Sequence, residues 1–149
     1  MLHRWPALGP KADGTFCNEE RNIISSLGKW TKANEEAIWG TQPYKVFGEG
    51  KKQKGGSFTE HFSYTSRDYR FTCKTGVVYA FALKPYGKTE FRIKTLDDSM
   101  DMFHCVIKNI SVLGSDTAVS FTQNKKYLSI KLNKRVNSSM PVCFKIEVE

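Results

Sequence analysis

The sequence predicts a mostly β protein, an antiparallel β-sandwich preceded by one amphipathic helix. Three observations predict this fold class. Apolar residues alternate with polar ones over much of residues 57–149, they recur every three or four residues over 18–38, and turn-forming residues separate the alternating runs. Seven or eight short strands at this spacing are typical of an antiparallel sandwich.

The helix is predicted to begin near two capping residues and an acidic first turn. Thr15 or Asn18 can serve as the N-cap, and Glu19 and Glu20 then lie at the positive end of the helix dipole. Gly28 costs about 1 kcal/mol relative to alanine inside a helix, so we expect a close packing contact there.

The helix is predicted to end at Asn34, which tolerates a left-handed conformation. One extra turn over residues 35–39 is then expected, closed by Gly40. The spacing of Trp30 and Trp39 predicts two core residues, and a sugar-stacking platform is the alternative.

The apolar side chains of the helix form one stripe, made of Ile23, Ile24, Leu27 and Trp30. The two sheets of a sandwich bury their inner faces against each other, so they can cover this stripe only in part. We therefore expect an exposed helix face that favours self-association. Such a helix is typical of the last helix of another domain, and the chain is expected to be a fragment.

Strand alternation predicts which side chains face inward. The expected inward residues are large and apolar: Tyr69, Phe71, Tyr79, Phe81, Phe91, Ile130 and Phe144. Turns are predicted at residues 84–87, 114–116 and 123–125, and the glycine-rich run 48–56 predicts a linker.

Length and composition exclude several classes of protein. The chain has 149 residues, and its 40% hydrophobic content is sufficient for a packed core rather than a disordered chain. No apolar run approaches the roughly 18 residues that cross a bilayer, and residues 1–6 lack the apolar segment of a signal peptide. Four scattered cysteines (Cys17, Cys73, Cys105 and Cys143) fit neither a disulfide-built miniprotein nor a CxxC zinc site, and their pairing stays open. We expect a soluble domain without a membrane partner.

The net charge of +8 is carried by one part of the chain. Residues 1–44 hold five basic and five acidic residues, so residues 45–149 account for the whole excess. A basic sandwich can bind polyanions, but the sequence groups these charges on no single strand face, which favours a role in solubility. Lys51, Lys52 and Lys54 lie among glycines without interleaved aromatics, so we expect a linker and no nucleic-acid partner.

No residue set in the sequence meets the requirements of a catalytic or metal site. Asp13 with Glu19 or Glu20 is better explained by helix capping than by acid–base catalysis. The acidic loop of Asp97, Asp98 and Asp101 lacks the spacing of calcium ligands. The three histidines, His3, His61 and His104, lack the spacing of zinc ligands. We therefore predict no catalytic residue, no metal and no cofactor.

Two sequons predict N-glycosylation. Asn137 begins the sequon NSS in a polar loop before a proline, which suits modification. Asn109 begins the sequon NIS in a predicted strand, where only an outward-facing side chain can be modified. Together they favour a glycoprotein on the secretory or lysosomal route.

Several runs resemble a known enzyme family. The run from Gly9 to Thr15 (GPKADGT), the tripeptide GKW at 28–30 and the run from Asn34 to Tyr44 (NEEAIWGTQPY) resemble the end of the catalytic barrel of α-L-fucosidases, glycoside hydrolase family twenty-nine. Residues 68–74 (DYRFTCK), 78–80 (VYA) and 112–115 (VLGS) are similar to that family's C-terminal β-sandwich. The resemblance implies three parts: the end of the (β/α) barrel over 1–44, a linker over 45–56 and the C-terminal sandwich over 57–149.

The resemblance implies a retaining glycoside hydrolase of fucose metabolism that removes α-L-fucose from glycoconjugates in the lysosome or outside the cell. Such enzymes use an Asp nucleophile and a separate acid/base carboxylate on upstream barrel loops, about 5–5.5 Å apart. This sequence contains neither motif, so fucosylated glycans would be bound by the missing barrel and the chain alone is expected to be inactive. The asparagine that the family places before its Gly-Pro is Ala7 here, which predicts an altered last barrel strand.

Two functional hypotheses remain open from the sequence. The chain is either the C-terminal part of an α-L-fucosidase or a non-catalytic β-sandwich module that binds glycans or a protein partner through an apolar or basic face.

Overall fold

The computed structural model describes residues 9–50, 63–99 and 105–149. Two helices and eight strands lie in these ranges: α1 (Asn18–Ala33), α2 (Glu35–Ile38), β1 (Gln42–Glu49), β2 (Tyr69–Lys74), β3 (Val77–Ala82), β4 (Glu90–Ile93), β5 (Ile107–Val112), β6 (Val119–Asn124), β7 (Tyr127–Leu132) and β8 (Val142–Val148). The chain divides into two compact units, Met1–Ala33 and Asn34–Glu149. None of the helices described is both long and apolar enough to cross a bilayer.

Cys17 caps α1, the helix described in the first unit. The Glu20 backbone N–H donates to Cys17 Sγ at 3.4 Å, and the Cys17 backbone N–H donates to the Glu20 carboxylate at 3.2 Å. This is the reciprocal arrangement of a capping box, with a thiol in place of the usual hydroxyl. The predicted N-caps are therefore wrong. The N–H and hydroxyl of Thr15 donate to Asp13 instead, and Asn18 is the first helical residue.

The helix breaks at the predicted position, but Asn34 has a φ of −113° rather than the left-handed conformation that the sequence analysis expected there. Asn34 separates α1 from α2, and Gly40 follows α2 with a φ of +66°, a left-handed conformation that suits glycine. The contact expected at Gly28 is absent, because no described atom lies within 4 Å of the position that a Cβ would take. Gly28 thus lies on an open surface of α1.

The second unit is an antiparallel β-sandwich, as predicted. One sheet has five strands in the order β1-β2-β3-β8-β5, and the other has three in the order β4-β7-β6. Every described strand pair is antiparallel. The predicted turns with Gly87 and Gly114 connect one sheet to the other, the β6–β7 hairpin turns at residues 125–126, and the β2–β3 hairpin turns at Gly76, which the sequence analysis did not predict. The Phe91 and Phe144 rings join the two sheets edge to face, with centroids 4.9 Å apart.

The core between the sheets contains five of the seven side chains predicted to face inward: Tyr69, Phe71, Phe91, Ile130 and Phe144. The other two, Tyr79 and Phe81, are buried but lie on the opposite face of β3, so their predicted orientation is wrong. The inward side chains of β3 are Val78, Ala80 and Ala82.

Burial on both faces explains why the alternation of β3 misled the prediction. Val78 through Ala82 are all buried, because β3 lies in the middle of its sheet and its outer face is covered as well. In such a strand residue size no longer marks the inner face. Ala80 pairs with Phe71 on one side and Phe144 on the other, so a small side chain fits between two large ones.

The sandwich begins earlier than the sequence predicts. Gln42–Glu49 forms edge strand β1 in a stretch assigned to the barrel end and the linker. Tyr44 packs on the core with its ring 5.9 Å from that of Phe71, and Gly48 sits at an irregularity where a Cβ would collide with the Tyr69 carbonyl. The boundary between the compact units therefore falls at Ala33 rather than after residue 44. The remainder of the predicted linker, residues 51–56, lies outside the described residues.

Candidate functional site

The predicted capping residues form no catalytic pair. Asp13 accepts hydrogen bonds from Thr15, whose hydroxyl holds the pKa of that carboxyl below its ordinary value. The Cys17 backbone N–H likewise lowers the pKa of Glu20. Both carboxylates are thus occupied in ordering the start of α1.

The acidic loop after β4 is organised locally. The N–H and the hydroxyl of Ser99 donate to Asp97 Oδ1 at 3.0 and 2.6 Å. The Asp98 backbone N–H donates to the Asn124 carbonyl at 2.9 Å. Within the described ranges no three acidic, histidine or cysteine side chains are arranged to hold a metal ion.

Several residues considered from sequence lie outside the described ranges: His3, Ala7, Lys51, Lys52, Lys54, His61, Asp101 and His104.

The outer face of the five-stranded sheet holds a connected group of ionisable side chains. Glu36 Oε1 accepts a hydrogen bond from Tyr79 Oη at 2.7 Å and lies 2.7 Å from Lys145 Nζ. Lys145 Nζ also lies 3.7 Å from Glu147 Oε1. We call Glu36, Tyr79, Lys145 and Glu147 the outer-face cluster.

The strand register brings this cluster together. Thr72, Tyr79 and Lys145 are direct cross-strand partners on β2, β3 and β8, so their side chains share one face. The Thr72 hydroxyl donates to the Ala37 carbonyl at 2.8 Å, which holds α2 over this face. Ala37 is fully buried, and Glu36 reaches Tyr79 and Lys145 from the same short helix.

Hydrogen bonds and burial set the protonation states of the cluster. The Lys145 ammonium and then the Tyr79 hydroxyl lower the pKa of Glu36, while Glu36 raises the pKa of Lys145. Burial, followed by the hydrogen bond to Glu36, raises the pKa of Tyr79. At neutral pH the cluster therefore contains an ionised carboxylate, an ammonium and a neutral phenol.

This arrangement suits a structural contact better than acid–base catalysis. A catalytic acid in a glycosidase needs a carboxyl whose pKa is raised toward neutrality, whereas that of Glu36 is lowered. Lys145 contacts both neighbouring carboxylates, and its single positive charge offsets part of their negative charge. No sequence pattern predicts the cluster, because its members come from α2, β3 and β8 and only the fold brings them together.

The cysteines and two of the tryptophans lie within the described residues. All four cysteines are unpaired, and burial raises the pKa of the Cys143 thiol, so it stays protonated. Trp39 is 66% exposed, so its predicted place in the core is wrong, and Trp30 is half-buried.

Both sequon asparagines are exposed. Asn137 lies in the loop before β8. Asn109 lies on the outer side of edge strand β5, and its amide donates to Glu147 at 3.2 Å. Modification at either position stays a prediction.

Comparisons with known proteins identify structural neighbours only. No protein-family profile and no curated protein sequence matches the chain. A crystal structure of Thermotoga maritima α-fucosidase matches with a TM-score of 0.63 and 20% identity, over 93% of this chain and 29% of that one. The same enzyme in complex with a mechanism-based inhibitor matches with a TM-score of 0.60 and 19% identity, over 94% and 29%. A T. maritima α-L-fucosynthase in complex with α-L-Fuc-(1-2)-β-L-Fuc-N3 matches with a TM-score of 0.59 and 22% identity, over 93% and 28%.

The chain thus spans less than a third of the length of these neighbours, while they cover nearly all of it. At this identity the likeness concerns the fold. The chain has a fold that resembles the C-terminal domain of α-L-fucosidase.

Proposed function

We propose that this chain is the C-terminal region of an α-L-fucosidase and serves as a non-catalytic support for the catalytic barrel. The observation that carries the proposal is the state of the outer-face cluster. Its two carboxylates are bound to Lys145, and the pKa of Glu36 is lowered rather than raised. A retaining glycosidase needs one carboxyl as nucleophile and another as acid, and these residues supply no such pair.

The covered outer face supports a bracing role for the sandwich. α2 is held there by Thr72, Tyr79 and Lys145, and it follows α1 after the single residue Asn34. In the proposed enzyme α1 is the last barrel helix. Fucosylated glycans would bind to the barrel.

The activity of the purified chain tests the proposal. We expect no hydrolysis of an aryl α-L-fucoside above the buffer rate, because the catalytic pair is missing. Two results together would refute the support role. The chain would hydrolyse the fucoside in a reaction that a fucose-like inhibitor abolishes, and Glu36→Gln would remove this activity while Glu20→Gln would not. Catalysis would then lie in the outer-face cluster.

The exposed sequons support a proposal for localisation. We propose that the protein is a secreted or lysosomal glycoprotein modified at Asn137 and, on the outward side of β5, at Asn109.

A second candidate function is a non-catalytic module that binds glycans or a protein partner. The observation that favours it is the net charge of residues 45–149, which hold 18 basic and 10 acidic residues and can attract an anionic partner.

A further inference from the structure

The two edge strands of the five-stranded sheet differ in how they resist pairing with another chain. An edge strand presents unpaired backbone N–H and C=O groups to which a further strand can bond, and prolines, irregular registers and charged side chains oppose this. β1 has Pro43, the exposed Lys45 and an irregular register between Pro43 and Gly48. β1 is therefore protected by its own sequence, whereas β5 lies at the opposite edge of the described sheet.

β5 is regular over most of its length. Its register with β8 is irregular between Ile107 and Asn109, but residues 109–112 pair one by one with β8, and no proline interrupts the strand. Its charged side chain, Lys108, lies 3.2 Å from Glu149 Oε1, so its charge is partly offset. Since no described strand pairs with the other side of β5, its backbone groups over 109–112 can accept a strand unless another group covers them.

The sequon of Asn109, Ile110 and Ser111 lies in this regular stretch. Ile110 is in the core, so Asn109 and Ser111, which alternate with it, lie on the outer face of the sheet. Asn109 is exposed, and Ser111 is half-buried. A glycan attached to Asn109 would thus leave the sheet on its solvent side, directly beside the free edge.

Glu147 holds the Asn109 amide in place. Asn109 Nδ2 donates to Glu147 Oε2 at 3.2 Å, and Lys145 Nζ lies 3.7 Å from Glu147 Oε1. A carboxamide has two N–H groups, and glycosylation replaces one of them, so the bond to Glu147 can persist in the modified chain. The first sugar would then be held close to the backbone of β5.

We propose that a glycan on Asn109 covers the free edge of β5 and prevents association of the chain through that edge. A glycan is bulky and hydrated, so it blocks the approach of a second strand without an apolar contact. This inference rests on the proposed localisation, because it requires the chain to be modified on the secretory route.

The modification is a transfer from an oligosaccharide linked to a polyprenyl pyrophosphate. Asn109 Nδ2 bonds to C1 of the first N-acetylglucosamine and loses one proton. The bond between C1 and the pyrophosphate oxygen breaks, and the polyprenyl pyrophosphate leaves. Nothing is oxidised or reduced in this step.

The other sequon provides a matched comparison within the same chain. Asn137 is exposed in the loop before β8, and the Met140 N–H donates to the Ser138 hydroxyl in that loop. A glycan at Asn137 adds similar bulk and hydration to the surface without lying on an edge strand. Loss of the Asn109 glycan should therefore promote association, whereas loss of the Asn137 glycan should not.

Sedimentation of the full chain, secreted from a eukaryotic host behind an added signal peptide, tests the proposal. Every variant also carries Leu27→Glu, which weakens association through α1. Asn109→Gln should associate at a concentration at least about fivefold lower than the parent, and Asn137→Gln should stay within about twofold of it. Asn109→Lys also lacks the glycan but places a charge at the edge, so it should associate less than Asn109→Gln.

Trimming the glycan on the folded chain separates the edge contact from a folding defect. An endoglycosidase that leaves one sugar, applied to Asn137→Gln, shortens the Asn109 glycan without changing the sequence. Association should increase after this treatment. No increase after trimming, or equal association of Asn109→Gln and Asn109→Lys, would overturn the proposal.

Mass spectrometry of the two sequon peptides separates failure of this inference from failure of the proposed localisation. Glycans at both sites with equal association of all variants would overturn the edge role and leave the localisation intact. A glycan at Asn137 alone would do the same, since no sugar would then cover β5. Two unmodified sites would overturn both proposals, while the fucoside assay of the support role is independent of all these results.

Discussion

At the scale of single residues, Glu36 is the side chain on which most of the outer face depends. It holds Tyr79 and Lys145 from a helix of four residues. Its side chain is 42% exposed, so water and salt screen the ion pair and limit its contribution to stability. Glu36 therefore matters more for positioning α2 than for the free energy of unfolding.

The pH dependence of stability measures the contribution of the Glu36 carboxylate. Its pKa is lowered in the folded chain, so its contribution is present above its unfolded pKa, near the ordinary 4.5, and is lost as the pH falls through the lower folded value. Glu36→Gln should lower the free energy of unfolding by about 0.5 kcal/mol or less at pH 7, after discounting for screening, and the difference should be smaller at pH 3 than at pH 7.

Urea unfolding at both pH values measures this difference. Glu35→Gln removes the same charge from the adjacent position and is the matched control, for which we expect no such pH-dependent loss. A Glu36→Gln difference that is no smaller at pH 3 than at pH 7 would show that the carboxylate charge is not its source.

At the scale of elements, β2 and β3 show how the faces of a strand are assigned. β2 keeps its largest side chains toward the core, where Phe71 is 4% exposed. β3 instead points its alanines toward the core. Its Tyr79 and Phe81 side chains lie on the outer face, where they are also buried. Residue size predicts the inner face only where the other face meets water.

Truncation of Phe71 tests the assignment of β2. Phe71→Ala should lower the free energy of unfolding by about 3–5 kcal/mol, because it removes a buried ring and leaves a cavity. Phe47→Ala on the adjacent strand is the control and should cost less than about 1 kcal/mol, since Phe47 is 57% exposed and loses mainly its contact with Arg70. Chemical denaturation measures both, and a loss below 1 kcal/mol for Phe71 would contradict its place in the core.

At the scale of the whole molecule, the two compact units differ in how well they bury apolar residues. No residue of α1 is buried, and Ile23, Ile24 and Leu27 are each more than 40% exposed, whereas the sandwich has a continuous core. Full burial of each such side chain would contribute roughly 1.5–3 kcal/mol, so a partner for this stripe would stabilise α1 substantially. Neighbouring copies of the chain can supply that partner.

Sedimentation tests this expectation. We expect the chain to self-associate as its concentration rises, and Leu27→Glu to reduce the association by placing a charge in the stripe. Ser25→Glu adds the same charge on the opposite side of the helix and should have little effect. Hydrogen exchange should be faster at the α1 amides than at those of β3.

A monomeric chain whose α1 amides are as protected as those of β3 would contradict both expectations. The stripe would then have a complete partner within this chain. The fragment hypothesis would lose its physical basis, and the independent module would replace it.

The sequence by itself determined the local structure of this protein. Period-two alternation specified most strands, glycines at positive φ specified several of their turns, and Asn34 specified the break between the helices. These features depend on neighbouring residues in the chain, which is why one sequence suffices to predict them. The same locality made the composition of the core predictable for β2, β4, β7 and β8, each of which contributes a correctly predicted inward side chain.

Only the tertiary structure decided the features that depend on packing. Three features follow from contacts that the spacing of residues in the sequence does not reveal. These are the Cys17 thiol as a helix cap, the choice of inner face in β3, and the start of the sandwich at β1. The outer-face cluster required α2 to lie over β3 and β8. Charges and hydrogen-bonding groups act through distance in space, and the strand order that sets those distances is decided by how the two sheets bury their apolar faces together.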